Sequence, residues 1–392
     1  MTSRLILPRI MQSGAGASKE LPAILKAFGC QRPLIVTDKV MVSLGYVETL
    51  GALLSENDLT YAVFDGTVPE PTEDSIIAGV EIARTGIDGA PFDCIVALGG
   101  GSPIDSAKAI GILAKFGGTM RDYKFPRDVA EPGLPVIAIP TTAGTGSEAT
   151  RFTIITDDKN DEKMLCAGIG FMPIAALIDF ELTMSAPPRV TADTGIDALT
   201  HAMEAYVSRK ANVFSDQQAL AAMRLIGPNL RTAYFQPGNR PAREAMMMGA
   251  TLAGIAFSNA SVALVHGMSR PIGAFFHVPH GLSNAMLLPA ITAFSISAAP
   301  QRYADCARAM GIATQQDSDE LANQKLLTEL KQLNQELSVP SLAEFGADKT
   351  RFFELRTLMA EQALASGSPS NNPRVPSIDE MVALYEQVWN QE

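Results

Sequence analysis

A strand-then-helix alternation runs through the first 185 residues and then stops. This break decides most of what the chain can fold into. Apolar, β-branched runs at 34–37, 61–64, 94–98, 136–139, 152–156 and 175–178 read as strands, and 40–54, 75–84 and 103–114 between them read as helices. Strand, helix, strand at this spacing is the pattern of βαβ units and a parallel sheet. After Pro187-Pro188 the β runs vanish, and 192–208, 215–230, 241–258 and 318–337 carry helical periodicity. The stretch 366–376, SGSPSNNPRVP, reads as a loop before a last helix over 378–389. A chain of 392 residues suits two domains. The double proline is placed as the hinge, with an α/β domain over residues 1–186 and an all-α domain over 187–392.

Composition excludes several classes of function. With 47% apolar and 19% charged residues the chain can bury large cores. Its net charge of -11 repels a phosphate backbone, so no nucleic-acid partner is expected, nor a polybasic membrane anchor. The most apolar stretches, such as 251–265, are interrupted by Gly, Ser and Asn, so no membrane span is expected. The N-terminal MTSRLILPRIMQSG lacks the apolar core of a secretory signal. Cys30, Cys94, Cys166 and Cys306 form no CxxC pair, which argues against a thiolate zinc site and for reduced, buried thiols in a cytoplasmic protein.

Two glycine-rich turns point to a nucleotide. Gly99-Gly100-Gly101-Ser102-Pro103-Ile104-Asp105 follows a strand and opens a helix. Glycines let backbone N–H groups approach a phosphate, and the helix N-terminus favours an anion. A tight turn alone needs fewer glycines. The second run, Pro140-Thr141-Thr142-Ala143-Gly144-Thr145-Gly146-Ser147-Glu148, follows the next strand. Taken singly it is an ordinary polar loop. Two such loops at successive strand ends suit the ligand-binding carboxyl edge of a parallel sheet. No GxGxxG lies on the first strand-to-helix turn. Asp38 follows the first convincing strand. It reads either as a helix N-cap or as an acceptor for a ribose diol, in which case it favours NAD over NADP.

All four histidines, His201, His266, His277 and His280, fall between residues 201 and 280. Asp197 and His201 stand four apart in a helical run and share a face, which is also what a solvated helix face would show. The other three lie in VHGMSRPIGAFFHVPHG (265–281), where His266 and His280 each precede glycine in apolar surroundings. A single histidine in such a setting is most often a satisfied core group. One carboxylate with several imidazoles and no thiolate suits Fe(II) or Zn(II).

The motifs GGGSPID, PTTAGTGSE, DTGIDALTHAMEAYVS and GIAFSNASVALVHGM…FHVPHG, in this order, resemble the iron-containing (group III) alcohol dehydrogenases, from about residue 5 to SNNPR (370–374) and the C-terminus. The resemblance implies a Rossmann-like domain that binds NAD(P), an all-helical domain, and an active site in the cleft between them. It implies divalent metal ligands at Asp197, His201, His266 and His280. It also implies a pyrophosphate on Gly99, Gly100, Gly101 and Ser102 with Asp105 in the same motif, a cofactor lined by Thr141, Thr142, Thr145 and Ser147, and Lys163 at the nicotinamide ribose. The implied reaction is reversible hydride transfer between NAD(H) and a primary alcohol or aldehyde at a ferrous site, with zinc or another divalent ion able to substitute, in a homodimer or larger homo-oligomer.

Two positions depart from the family pattern. Four residues after His266 many members carry another histidine, proposed as a proton carrier, and this chain has Arg270. Arginine stays protonated and cannot relay a proton. His277 is then the candidate for proton transfer. Arg270 has three readings: a structural pair with an acid, a contact to cofactor phosphate or ribose, or a contact to a substrate anion. The last would make the substrate an ω-hydroxy acid or its semialdehyde. At Glu70, other members often carry Asn. The alternatives to a ferrous dehydrogenase are a zinc enzyme of the same fold, such as a glycerol dehydrogenase or a dehydroquinate synthase-like lyase, and a non-catalytic nucleotide-binding protein.

Overall fold

The computed structural model describes residues 4–160 and 162–390. Two compact units divide the chain, one spanning Leu5–Ser185 and the other running from Ala186 onward. The first unit carries strands β1 Ile10–Ser13, β2 Pro33–Val36, β3 Ala62–Phe64, β4 Cys94–Gly99, β5 Val136–Pro140, β6 Phe152–Asp157, β7 Glu162–Ala167 and β8 Ala175–Ile178. Its helices are α1 Leu21–Phe28, α2 Lys39–Ser43, α3 Tyr46–Ser55, α4 Glu73–Thr85 and α5 Gly101–Phe116. Six strands form one parallel sheet in the order β1-β8-β5-β4-β2-β3.

Side chains alternate across this sheet with the period of two that a strand imposes. Along β4, Ile95 and Ala97 join Ile76, Val80, Ile104 and Ile110 of α4 and α5 in one core. Cys94, Val96 and Leu98 join Leu21, Leu25, Leu50 and Leu54 of α1 and α3 in the other. A strand buried on both faces must be apolar throughout, which is why CIVAL is legible in the sequence.

Two expectations need correction, and one strand is added to them. The 40–54 run is two helices, because Gly45 adopts φ 77 and breaks it after α2. The 152–156 strand is not in the parallel sheet. It is β6, paired antiparallel with β7, so that Thr156 lies opposite Lys163. The edge strand β1 was not foreseen; its residues are mostly exposed and carry no buried run.

The second unit is helical throughout its described residues: α6 Pro188–Val207, α7 Val213–Phe235, α8 Arg240–Ala260, α9 Leu264–Phe276, α10 His280–Ile296, α11 Pro300–Ala309, α12 Asp319–Glu336, α13 Leu342–Phe345, α14 Lys349–Ala365 and α15 Ile378–Asn390. The double proline supplies the start of α6, with Pro187 as N-cap and Pro188 in the first turn. Among the described residues no single helix is long and apolar enough to cross a membrane.

Candidate metal centre and cofactor loops

In the helical unit, α6, α9 and α10 bring Asp197, His201, His266 and His280 together, with one ligand atom from each lying within 4.8 Å of the others. Asp197 and His201 sit on one face of α6, and that face is buried rather than solvated. The Asp197 carboxylate meets all three imidazoles: His201 Nδ1 is 3.9 Å from Oδ2, and His266 Nε2 and His280 Nε2 are 3.5 and 3.7 Å from Oδ1. The His201 ring stacks on Phe257 at 4.2 Å and on His266 at 4.4 Å, which fixes its plane. Burial pushes the Asp197 carboxyl up, and the imidazoles of His201, His280 and His266 overturn this and hold it well below its usual range.

Two further residues complete the site, and the sequence reading assigned neither. Glu204, also on α6, accepts from the backbone N–H of Ala263 at 2.8 Å and of Val265 at 2.5 Å, capping the start of α9. Its Oε2 also lies 2.7 Å from His266 Nδ1. An ionised carboxylate there makes Nδ1 the donor and leaves Nε2 as the ring's acceptor nitrogen, the usual arrangement around a metal-binding histidine. Asn284 stands one turn after His280. Its Nδ2 lies 2.7 Å from Asp197 Oδ1, 3.1 Å from His266 Nε2 and 3.3 Å from His280 Nε2, while its Oδ1 is buried with no hydrogen-bond partner. A buried carboxylate, imidazole nitrogens converging on it, and an orphaned amide oxygen beside them make a polar set that this chain alone does not satisfy. The donors are those that hold a divalent first-row cation, so the residues fit the group.

The structure explains why His266 and His280 precede glycine. A Cβ on Gly281 would come 2.4 Å from the backbone oxygen of Asp193 in α6, and one on Gly267 would come 2.7 Å from Pro369. Gly281 therefore sets how closely α10 approaches α6. Gly281→Ala is expected to push His280 away from Asp197 and to weaken metal binding by roughly tenfold or more, since misplaced ligands are costly at this scale. Equilibrium dialysis against Fe(II) or Zn(II) checks this, and unchanged affinity contradicts it.

Arg270 lies one turn beyond His266 on α9 and is buried. His277 lies outside the cluster. It is exposed, at the C-terminal cap of α9, with φ 55.

In the α/β unit, β4 and β5 end side by side, with Gly99 opposite Pro140. The two polar loops consequently touch. Thr141 N donates to Gly99 O at 3.0 Å, and a Cβ on Gly101 would meet Thr145 at 2.7 Å. Gly99, at φ 148, has a conformation that other residues rarely adopt. Helix α5 starts at Gly101 without a side-chain cap, which leaves its first N–H groups free for an anion. Thr141 Oγ1 is buried without a partner beside this turn, which fits a group brought from outside the chain.

Asp105 and Ser147 are engaged internally. The Asp105 carboxylate accepts from Ser147 Oγ at 2.6 Å and from Ile154 N at 2.9 Å. Lys108, not foreseen, is fully buried and donates to Ser147 Oγ at 2.7 Å, Thr150 Oγ1 at 3.2 Å and Phe152 O at 2.8 Å. Lys163 pairs with Glu70 at 2.5 Å, and the Glu70 backbone N–H donates to Ser102 Oγ at 3.2 Å. Asp38 caps α2, its Oδ1 accepting from Val40 N and Met41 N. All four cysteines are free and buried, as expected. Cys30 and Cys94, far apart in sequence, nevertheless meet beside Asp93, which CxxC spacing could not reveal.

Comparison with known proteins covers both units of the chain. Residues 8–180 match the family model of the iron-containing alcohol dehydrogenases, and residues 191–389 match that of the family's C-terminal part. Lactaldehyde reductase of Escherichia coli K12 is 36% identical over 99% of this chain and 100% of its own. An NADPH-dependent butanol dehydrogenase of Clostridium saccharobutylicum is 35% identical over 98% of each chain. The crystal structure of a 1,3-propanediol oxidoreductase superposes with a TM-score of 0.93 at 34% identity, covering 99% of this chain and 100% of that one.

Proposed function

The chain belongs to the iron-containing alcohol dehydrogenase family, and from that premise we propose that it is an NAD-dependent enzyme interconverting primary alcohols and aldehydes at a ferrous site formed by Asp197, His201, His266 and His280. The observation that carries this reading is the convergence of four donor atoms within 4.8 Å on buried helix faces. When bound, the divalent ion supplies Lewis acidity towards the substrate oxygen, and the nicotinamide supplies the hydride.

The remaining roles belong to side chains. Glu204 holds His266 with Nε2 free for the ion. The open N-terminus of α5 and the backbone of Gly99 to Ser102 receive the pyrophosphate. Thr141, Thr142 and Thr145 line the cofactor, with the Lys108–Asp105–Ser147 network holding their loop in place. Lys163 reaches the nicotinamide ribose, its charge tempered by Glu70. His277, exposed at the end of α9, exchanges the proton with solvent.

NAD is favoured by Asp38, because its carboxylate repels a 2′-phosphate while accepting from a ribose diol. The butanol dehydrogenase relative is NADPH-dependent, so this preference rests on that residue. Asp38→Asn keeps a capping oxygen for α2 and removes the charge. It is expected to raise kcat/KM with NADPH relative to NADH by roughly tenfold, the effect of about 1.4 kcal/mol. The reaction itself is tested with butanal and NADH carrying deuterium at both C4 positions. Deuterium at C1 of the butanol is expected, and butanol formed without it contradicts direct hydride transfer.

A further inference from the structure

Arg270 is 6% exposed, yet no carboxylate of the described residues pairs with it. Its one hydrogen bond among those residues runs from Nη1 to Ser368 Oγ at 2.9 Å, and its Nε is buried with no partner. Glu204 is the acid whose charge it feels, but both Glu204 oxygens are spent on Ala263 N, Val265 N and His266 Nδ1. A guanidinium left in this state is costly unless an anion joins it. Arg270 also follows His266 by one helical turn, so it flanks the ligand cluster on the same face of α9.

The donor geometry of the guanidinium narrows the choice of anion. Nη1 is held by Ser368, which leaves the Nε and Nη2 edge of the guanidinium for an incoming group. A carboxylate matches that planar edge with two parallel bonds, as it could not match a lysine ammonium.

We propose that Arg270 is a specificity-determining residue that binds the carboxylate of the substrate, which makes the preferred substrates short ω-hydroxy acids and their semialdehydes. The inference rests on the active site proposed above and narrows its substrate class. The structural pairing with an acid, one of the readings open from sequence, is not what the residue does.

The test compares succinic semialdehyde with butanal, two aldehydes of equal carbon count, using Fe(II)-loaded enzyme and NADH. Wild-type kcat/KM is expected to favour the acid by about tenfold or more, the order of one charge-assisted hydrogen bond. In Arg270→Gln this ratio is expected to collapse through the KM of the acid, and Arg270→Lys is expected to restore part of it. Should Arg270→Gln fail to fold, the wild-type enzyme still decides. 4-Hydroxybutanoate should compete with butanal at concentrations about tenfold below those of 1-butanol. Butanal turnover without a preference for the acid, or a ratio untouched by Arg270→Gln, overturns this inference alone. Turnover of neither aldehyde overturns the proposed function and this inference with it.

Discussion

Asp197→Ala is expected to abolish metal binding and, with it, aldehyde-dependent NADH oxidation. Asp197 is the one charged member of the ligand set, and all three imidazoles face its oxygens. Losing an outer-shell partner of a metal ligand costs about 10–100-fold in affinity or activity. Loss of the charged ligand should exceed the upper end of that range, while Glu204→Gln, which keeps a hydrogen-bonding oxygen near His266, should fall inside it. Metal content after dialysis, read beside the rate with butanal, checks both. An Asp197→Ala protein that retains its metal and turns over would show that Asp197 is not a required ligand of the catalytic ion.

The second large effect is expected in the α/β unit, on stability. Lys108 has no exposed side-chain surface, and burial pulls its pKa down to about 8 even with Asp105 nearby. It supplies three donor bonds to Ser147, Thr150 and Phe152, and its charge opposes that of Asp105 at 3.9 Å. Lys108→Met removes these bonds and leaves Asp105 buried without its cation. Breaking one side of such a pair costs about 3–5 kcal/mol. The expected result is a clearly lower urea midpoint for the first unfolding transition, together with weaker NADH binding by fluorescence, because the Thr141–Thr145 loop loses its anchor at Ser147. A midpoint shift worth less than about 1 kcal/mol would mean that the network is replaceable.

The legibility of these features follows from their physics. The parallel sheet could be read because strands buried on both faces must be continuously apolar. The four ligand candidates could be read because charged and imidazole side chains stand out in the otherwise apolar stretches of α6, α9 and α10. Glu204 is not legible in the sequence although it lies on the face of α6 that carries Asp197 and His201. One carboxylate in a helix is ordinary until its partners at Ala263, Val265 and His266 are seen. Asn284 has no charge to attract attention, and only its four-residue spacing from His280 marks it. Lys108 sits in AKAIGILAK, where a lysine normally reaches solvent, and only the fold turns it inward. The β6–β7 hairpin was hidden because a strand run does not name its partner. What the sequence could not supply in each case was the neighbour across space.

The most direct measurement is a titration of the chelator-stripped protein with Fe(II) under anaerobic conditions, following NADH oxidation by butanal. The rate should rise from near zero in proportion to added iron and level off at about one ion per chain, as a single site with one carboxylate and three imidazoles requires. Full turnover in the stripped protein, or iron that binds without any gain in rate, would contradict metal-dependent hydride transfer at this cluster.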